Sequence, residues 1–424
     1  MTKKEAGKLR RTLGLWDATA INVGAIIGGG IFVVTGIVAG LAGSALIISI
    51  LVAGAISLFT ALSFAELTAW QPVEGSVYEY AHQLISPFAG FLTGWMWLLS
   101  NLFSGAAVSL GFAYYLTAAF PTLPTHIVAA ITCIIFSALN FVGLKQSAKL
   151  NNILVLIKLA ALSFFVLFGI FFVKTANFAP FTPLNSGVFL GAYFIFFAYG
   201  GFARIAVVAE EVKDPKRTVP RAILLSLAIS TAVYALVGTI AVGLVGSTNL
   251  ANSNSPLIQA IGITRSPIAI DIISVGGLVA TASVLLTSIL GVSRMAFSMA
   301  RRKDMPSAFE KLHSTCDTPY YAIWILGSIM ALLVLFFNLT GVVVLSTFAL
   351  LFYYSIANFT ALRLKTQDRQ YPRAISAVGL ASCLALLAVI FFVSTQSWIL
   401  GVACLIIGTI FYVIKQRIFK KTQE

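Results

Sequence analysis

The sequence predicts an all-α polytopic membrane protein, and three observations carry that expectation. Of 424 residues, 59% are hydrophobic and 10% charged, and the mean hydropathy is +0.96, a balance that no soluble domain of this length shows. Apolar runs of about 20 residues, enough to cross a bilayer as helices, recur about 12 times, centred near residues 27, 57, 103, 134, 161, 200, 232, 285, 329, 353, 384 and 405. These runs are too long for the strands of a membrane barrel and lack their alternation. With about 35 residues per span, short connections absorb the rest, so residues 1–424 are expected to form a single transmembrane domain.

The first run follows a charged amino terminus without a cleavage site and is expected to stay uncleaved. Within it, NVGAIIGGGIF (Asn22 to Phe32) holds Gly24, Gly28, Gly29 and Gly30. A helix broken in lipid frees N–H and C=O groups that hydrocarbon cannot satisfy, so a polar group must meet them. The alternative is close helix packing through small residues, a pattern that Gly24 and Gly28 also fit. In the sixth, AYFIFFAYGGFARIAVVAEE, the stretch Ala198-Tyr199-Gly200-Gly201-Phe202 again interrupts an apolar run.

Five spans separate the two breaks. Because five is odd, the second unit enters the membrane from the opposite face, which makes an inverted repeat. Residues of about 12–173 and about 187–364 would be the two five-helix repeats, with about 374–416 supplying two additional helices. At mid-membrane the N-terminal end of a half-helix suits a carboxylate, and freed carbonyls suit an ammonium. Two facing breaks would therefore bind a zwitterion.

The loops fix orientation, since cytoplasmic loops retain Lys and Arg. About 23 of the 28 basic residues fall on one side, from Lys3, Lys4, Lys8, Arg10 and Arg11 through Lys145, Lys149, Lys213 to Arg221, Arg301 to Lys311 and Arg363 to Arg373 to Lys415 to Lys421, against Lys174 and Arg265 opposite. Both termini are expected in the cytoplasm and the protein in the cell membrane as a multi-pass chain. Topology and contact with anionic lipid account for the net charge of +14 without a nucleic-acid partner. Cys133, Cys316, Cys383 and Cys404 have spacings of neither a disulfide framework nor a metal site. Asn338-Leu-Thr and Asn358-Phe-Thr match the short glycosylation pattern.

Charge at membrane depth costs roughly 2.5 to 3.5 kcal/mol on insertion scales, so each such residue carries a functional hypothesis. Lys158 lies about nine residues into the fifth run, near 14 Å at 1.5 Å per residue, too deep to snorkel easily. It is also the deep side chain that can readily change charge: arginine stays protonated, His82, His126 and His313 are expected in loops, and Asp17, Glu66, Glu210 and Glu211 near cytoplasmic ends. A permanently charged tether between helices is the other reading of Lys158. Arg204 is expected to pair with Glu210 or Glu66, Arg294 to reach the cytoplasmic surface, and Glu210 and Glu211 to form an inner gate with Lys213, Lys216 and Arg217 or a solvated loop. Tyr199 and Asn101 are candidates for lining a side-chain pocket.

Four stretches resemble the amino acid/polyamine/organocation (APC) superfamily. They are LGLWDATAINVGAIIGGGIF, FAELTAWQPVEGSVYEYAHQLISPFAGFLTGW, FFAYGGFARIAVVAEEVKDPKRTVPRAI and SRMAFSMARRKDMPSAFEKLH, and the match runs in order from about Leu13 to His313. The resemblance implies the leucine-transporter fold and secondary transport of amino acids. Carried over by position, it places the substrate carboxylate on the amides of Gly28, Gly29 and Gly30 and the amine on the carbonyls of Ile26, Phe197 and Gly200, with Phe197 as the closing aromatic. Ala203 stands where some cationic exchangers have an acid, which argues for small or neutral substrates. Lys158, in NILVLIKLAAL, matches the helix-five lysine that replaces a sodium ion in proton-coupled and exchanging relatives, with the Gly24 carbonyl and Ser283 hydroxyl as neighbours. The implied partners are an amino acid, protons and the lipid bilayer, with no cofactor and no metal. Symport and sodium-independent exchange both stay open, as do monomer and homodimer. An enzyme would show a clustered His, Cys or carboxylate set, and a channel a repeated charged ring or carbonyl filter; neither pattern is present. A sensor that binds without flux is the third class.

Overall fold

The computed structural model describes residues 12–72, 75–142, 148–207, 209–314 and 318–423. The basic amino terminus through Arg11, Lys145 and Cys316 lie outside the described residues, as do the side chains of Lys149 and Glu210.

Twelve helical spans follow the twelve apolar runs among the described residues. The first, α1, starts as Leu15–Ile26, stops, and resumes through a π-helical turn over Gly30–Val34 into Thr35–Ala42. Then come α2 (Leu46–Trp70), α3 (Pro87–Ala119), α4 (Thr125–Phe141) and α5 (Ala148–Gly169). The sixth, α6, is Ser186–Tyr199 and, past a break, Arg204–Val207. The remainder are α7 (Pro215–Val245), α8 (Pro267–Arg301), α9 (Tyr320–Phe336), α10 (Leu339–Leu362), α11 (Arg373–Val393) and α12 (Thr395–Gln423). Helix length and composition alone single out nine membrane-crossing runs, because α1 and α2 merge into one and α4 and α9 are 17 residues each.

Local chemistry sets the helix starts. Ser86 and Ser266 accept the amides of Ala89 and Ala269 at 3.1 and 3.3 Å, each before a proline whose missing N–H costs nothing in a first turn. Asn338 caps α10 by accepting the Gly341 amide at 2.9 Å. Asn358 is buried inside α10 with its amide on Thr60 and the Tyr354 carbonyl, so that glycosylation motif belongs to the core. His82 and His126 lie on helices, not in loops: His82 in Val77–Leu84 and His126 in the first turn of α4.

The packing carries an internal order. Helix α1 packs on α7 as α6 packs on α2, and α5 packs on α8 as α10 packs on α3. Pairs α2/α7, α3/α8 and α4/α9 also meet. Each of these pairings is preserved when a helix is exchanged for the one five later, which is the contact pattern of a 5+5 inverted repeat. The last two helices lie outside it, with α11 on α10 and α2, and α12 on α10, α11 and α3.

The face carrying most of the basic residues is tied by charge. Arg302 meets Glu79 at 2.6 Å, Arg369 meets Glu66 at 3.1 Å, and Asp304 accepts from Tyr78 at 2.6 Å and Lys415 at 2.5 Å. Burial, then donation to Asp304, pushes the Tyr78 hydroxyl well above the ordinary tyrosine range, so it stays a donor across physiological pH. Cys133 and Cys383 are buried free thiols, and Cys404 is also free.

Candidate functional site

The breaks of α1 and α6 face each other at the centre of the bundle. Continuous helix would use every carbonyl of the last turn of Leu15–Ile26; the extended backbone at Ile27 (φ −77°, ψ 97°) leaves several without an intrahelical donor. Side chains from other helices fill that gap. Lys158 of α5 donates to the Gly24 carbonyl at 2.8 Å, the Ile27 carbonyl at 2.9 Å and the Ser283 hydroxyl of α8 at 2.8 Å. It is 1% exposed, and among the described residues no carboxylate pairs with it. Tyr234 of α7 donates to the Ile26 carbonyl at 2.7 Å and lies 3.1 Å from the Ala198 carbonyl, so one hydroxyl bridges both breaks. On α6, Tyr354 of α10 donates to the Gly200 carbonyl at 3.1 Å, and the Phe197 carbonyl accepts the Gly200 amide at 3.1 Å. Each of the three carbonyls assigned by resemblance to a substrate amine thus already holds one protein donor and keeps a second lone pair.

A small cavity lies between the breaks. Ile26, Gly28, Gly29, Gly30, Phe197, Gly200 and Asn101 all line it. Close approach explains the glycines directly. A Cβ on Gly29 would come within 2.9 Å of Val108 on α3, and one on Gly30 or Gly28 would overlap Ala198 of α6 or Val284 of α8 outright. The same glycines that bare backbone to the cavity also let four helices converge on it, so close packing and ligand access are not alternatives here.

Three expectations are corrected. Tyr199 does not line the cavity: it is buried on the far side of α6, its hydroxyl 3.3 Å from the Ile50 carbonyl of α2. Two residues along a helix is about 200° of rotation, so Tyr199 must face away from Phe197. Arg204 does not pair with Glu66, which Arg369 and the amides of Gln370 and Tyr371 (2.9 and 3.1 Å) occupy. Instead its guanidinium donates to Asn101 at 3.3 Å, stands 5.9 Å from the Trp97 ring and lines the cavity. Among the described residues Glu211 pairs with none of Lys213, Lys216 and Arg217, and the contact there is backbone: the Thr12 and Leu13 amides donate to the Glu211 carbonyl (2.9 and 3.1 Å) and the Lys213 amide donates to the Leu13 carbonyl at 2.9 Å. Arg217 and Asp214, 4.0 Å apart, are solvent-exposed, as is Arg294.

Sequence reasoning missed Tyr234, Tyr354 and the Ile27 carbonyl. The available signal was a phenol in an apolar run, since a buried hydroxyl needs a partner.

The sequence matches the amino acid permease family over residues 17–421. The chain belongs to that family, within the APC superfamily. An uncharacterized transporter of Mycobacterium tuberculosis is 34% identical over 420 residues, covering 98% of this chain and 94% of that protein. The branched-chain amino acid permease BcaP and the methylthioribose transporter of Bacillus subtilis are each 30% identical, each covering 98% of this chain and 95% of their own length. This permease-family chain is thus a multi-pass helical membrane protein whose relatives are transporters, and amino acid transport is the activity its family supports.

Proposed function

We propose that the chain is a proton-coupled, sodium-independent transporter of small, non-cationic amino acids, with both termini cytoplasmic in the cell membrane. Substrate carboxylate meets the amides around Gly28, Gly29 and Gly30, and the amine shares the carbonyls of Ile26, Phe197 and Gly200. Lys158 couples the cycle. The observation that carries this reading is the Lys158 ammonium on Gly24, Ile27 and Ser283, where a metal cation would otherwise satisfy the same oxygens. Protonated, it holds α1, α5 and α8 together; deprotonated toward the cytoplasm, it releases the first half of α1 to swing. Exchange without net proton flow uses the same lysine as a fixed tether and is the second reading.

Non-cationic selection rests on charge: among the described residues the cavity lining contains Arg204 and no acidic residue, so a second positive head would meet repulsion. The test is uptake into proteoliposomes with a proton gradient switched on or off, with and without sodium, under competition. Alanine, serine or a branched-chain amino acid should compete, and accumulation should follow the proton gradient. Displacement by arginine or lysine beyond every neutral amino acid, or by methylthioribose alone, overturns the substrate class. A sodium requirement overturns the coupling, and binding without flux leaves a sensor.

A further inference from the structure

Arg204 is the cation of the cavity, and among the described residues no carboxylate answers its charge. It follows directly on the break of α6 and contributes to the main cavity and to a smaller one below it, shared with Trp97, Asn101 and Tyr353. Among the described residues, no Asp or Glu lines either space and none pairs with it. The carboxylates nearest in role are engaged elsewhere: Glu66 with Arg369, Glu79 with Arg302, Asp304 with Tyr78 and Lys415.

Among the described residues the guanidinium makes one hydrogen bond, to the Asn101 amide oxygen at 3.3 Å, long for a charge-assisted contact. A guanidinium has five N–H donors in a planar fork suited to paired oxygens. Two features hold that fork in place. Trp97 flanks it on α3, and Gly291 on α8 leaves room for it, since a Cβ there would stand 2.6 Å from Nη1. Asn101, Ser104 and Ser346 supply further polar atoms on the α3 and α10 walls of the same cavity. The cavity thus has two positive ends: the amide-bearing glycines of α1 and the guanidinium of α6.

We propose that Arg204 is the side-chain selector of this cavity, taking a carboxylate or amide oxygen at the end of the substrate side chain while the α-carboxylate meets the glycine amides. This rests on the transport reading above and narrows it: within non-cationic amino acids, those with a planar oxygen-bearing side chain bind tightest. A site built around a hydrogen-bonding group rejects analogues lacking it, because the site's own polar group is then left unpaired.

The test is calorimetric binding to purified full-length protein with glutamine, glutamate, asparagine, aspartate, leucine, methionine and alanine. The wild type should bind an amide or acid at least about tenfold more tightly than leucine or methionine of similar size. Arg204→Met should erase that preference while alanine affinity moves less than about threefold. Arg204→Lys, which keeps charge and loses the fork, should retain more of the acid preference than of the amide preference. Leucine or methionine binding as tightly as glutamine and glutamate to the wild type overturns the assignment, and needs no variant to fold. Persistence of the preference in a folded Arg204→Met protein overturns it too, as does equal loss of alanine and glutamine, which marks a structural ion or a contact to the α-carboxylate. If no amino acid binds the wild type, the transport reading itself fails; alanine binding without any preference sinks the Arg204 assignment alone.

Discussion

Replacing Lys158 by alanine removes three hydrogen bonds of 2.8, 2.9 and 2.8 Å and the only described side-chain donor to the Gly24 and Ile27 carbonyls. Ser283 loses less, since its hydroxyl still donates to Ala280 at 3.0 Å. Hydrogen bonds measured inside membranes average about 0.6 kcal/mol, which sets a floor of about 2 kcal/mol for the three. Stranding two buried acceptors at roughly 1 to 3 kcal/mol each sets a ceiling of about 6 kcal/mol. We therefore expect a folded but destabilised protein, with a lowered thermal midpoint that substrate partly restores.

Transport separates the two roles of the lysine. If Lys158 carries the proton, Lys158→Ala in proteoliposomes keeps substrate counterflow and loses accumulation driven by a pH gradient, and sodium does not rescue it. If it is a fixed tether, counterflow and accumulation fall together. Wild-type accumulation by Lys158→Ala across a pH gradient refutes the coupling role outright.

Two further substitutions test the breaks. Gly29→Val should abolish amino acid binding in a protein that still inserts and folds, because its side chain must occupy space that Val108 and the cavity share; unchanged calorimetric affinity would remove the glycine amides from the site. Tyr234→Phe deletes one hydroxyl that serves the Ile26 and Ala198 carbonyls together. It should cost about 1 to 3 kcal/mol of stability and slow transport more than it weakens binding; a variant with wild-type melting and turnover would show that the bridge does not matter.

The fold was legible because lipid makes it so: apolar length gives the spans, loop charge gives a side, and a glycine cluster in hydrocarbon has few reasons to exist. Lys158 was legible for the same reason, as a lone amine in an apolar run must find oxygen somewhere. The partners of Arg204 were not. Glu210 and Glu66 were the acidic partners expected, but Glu66 is claimed by Arg369 and two amides that arrive from beyond α10, some 300 residues away in sequence. Tyr234 and Tyr354 escaped notice because nothing in an apolar run says which carbonyl a phenol reaches; that depends on how α7 and α10 cross the breaks. Tyr199 was misplaced although helix rotation could have excluded it, since Phe197, Gly200 and Gly201 share the face it opposes.

The division of labour at the α1 break bears on how the two breaks would move as one. Three carbonyls of one helical turn have different keepers: Gly24 and Ile27 are held by an amine that can lose its proton, Ile26 by a phenol that also reaches α6. Deprotonating Lys158 would therefore free two of the three while Tyr234 still links Ile26 to Ala198. The first half of α1 would loosen from α5 and α8 without parting from the break of α6. On the far side of that break, Leu13 and Lys213 join the start of α1 to the chain that follows the second half of α6 through backbone. A motion of the first half of α1 that began at Lys158 would then be coupled to both halves of α6, through Tyr234 at one and through Lys213 beyond the other. Substrate seated between the breaks would add to the tie that persists, so the loaded carrier should move as one body more readily than the empty one.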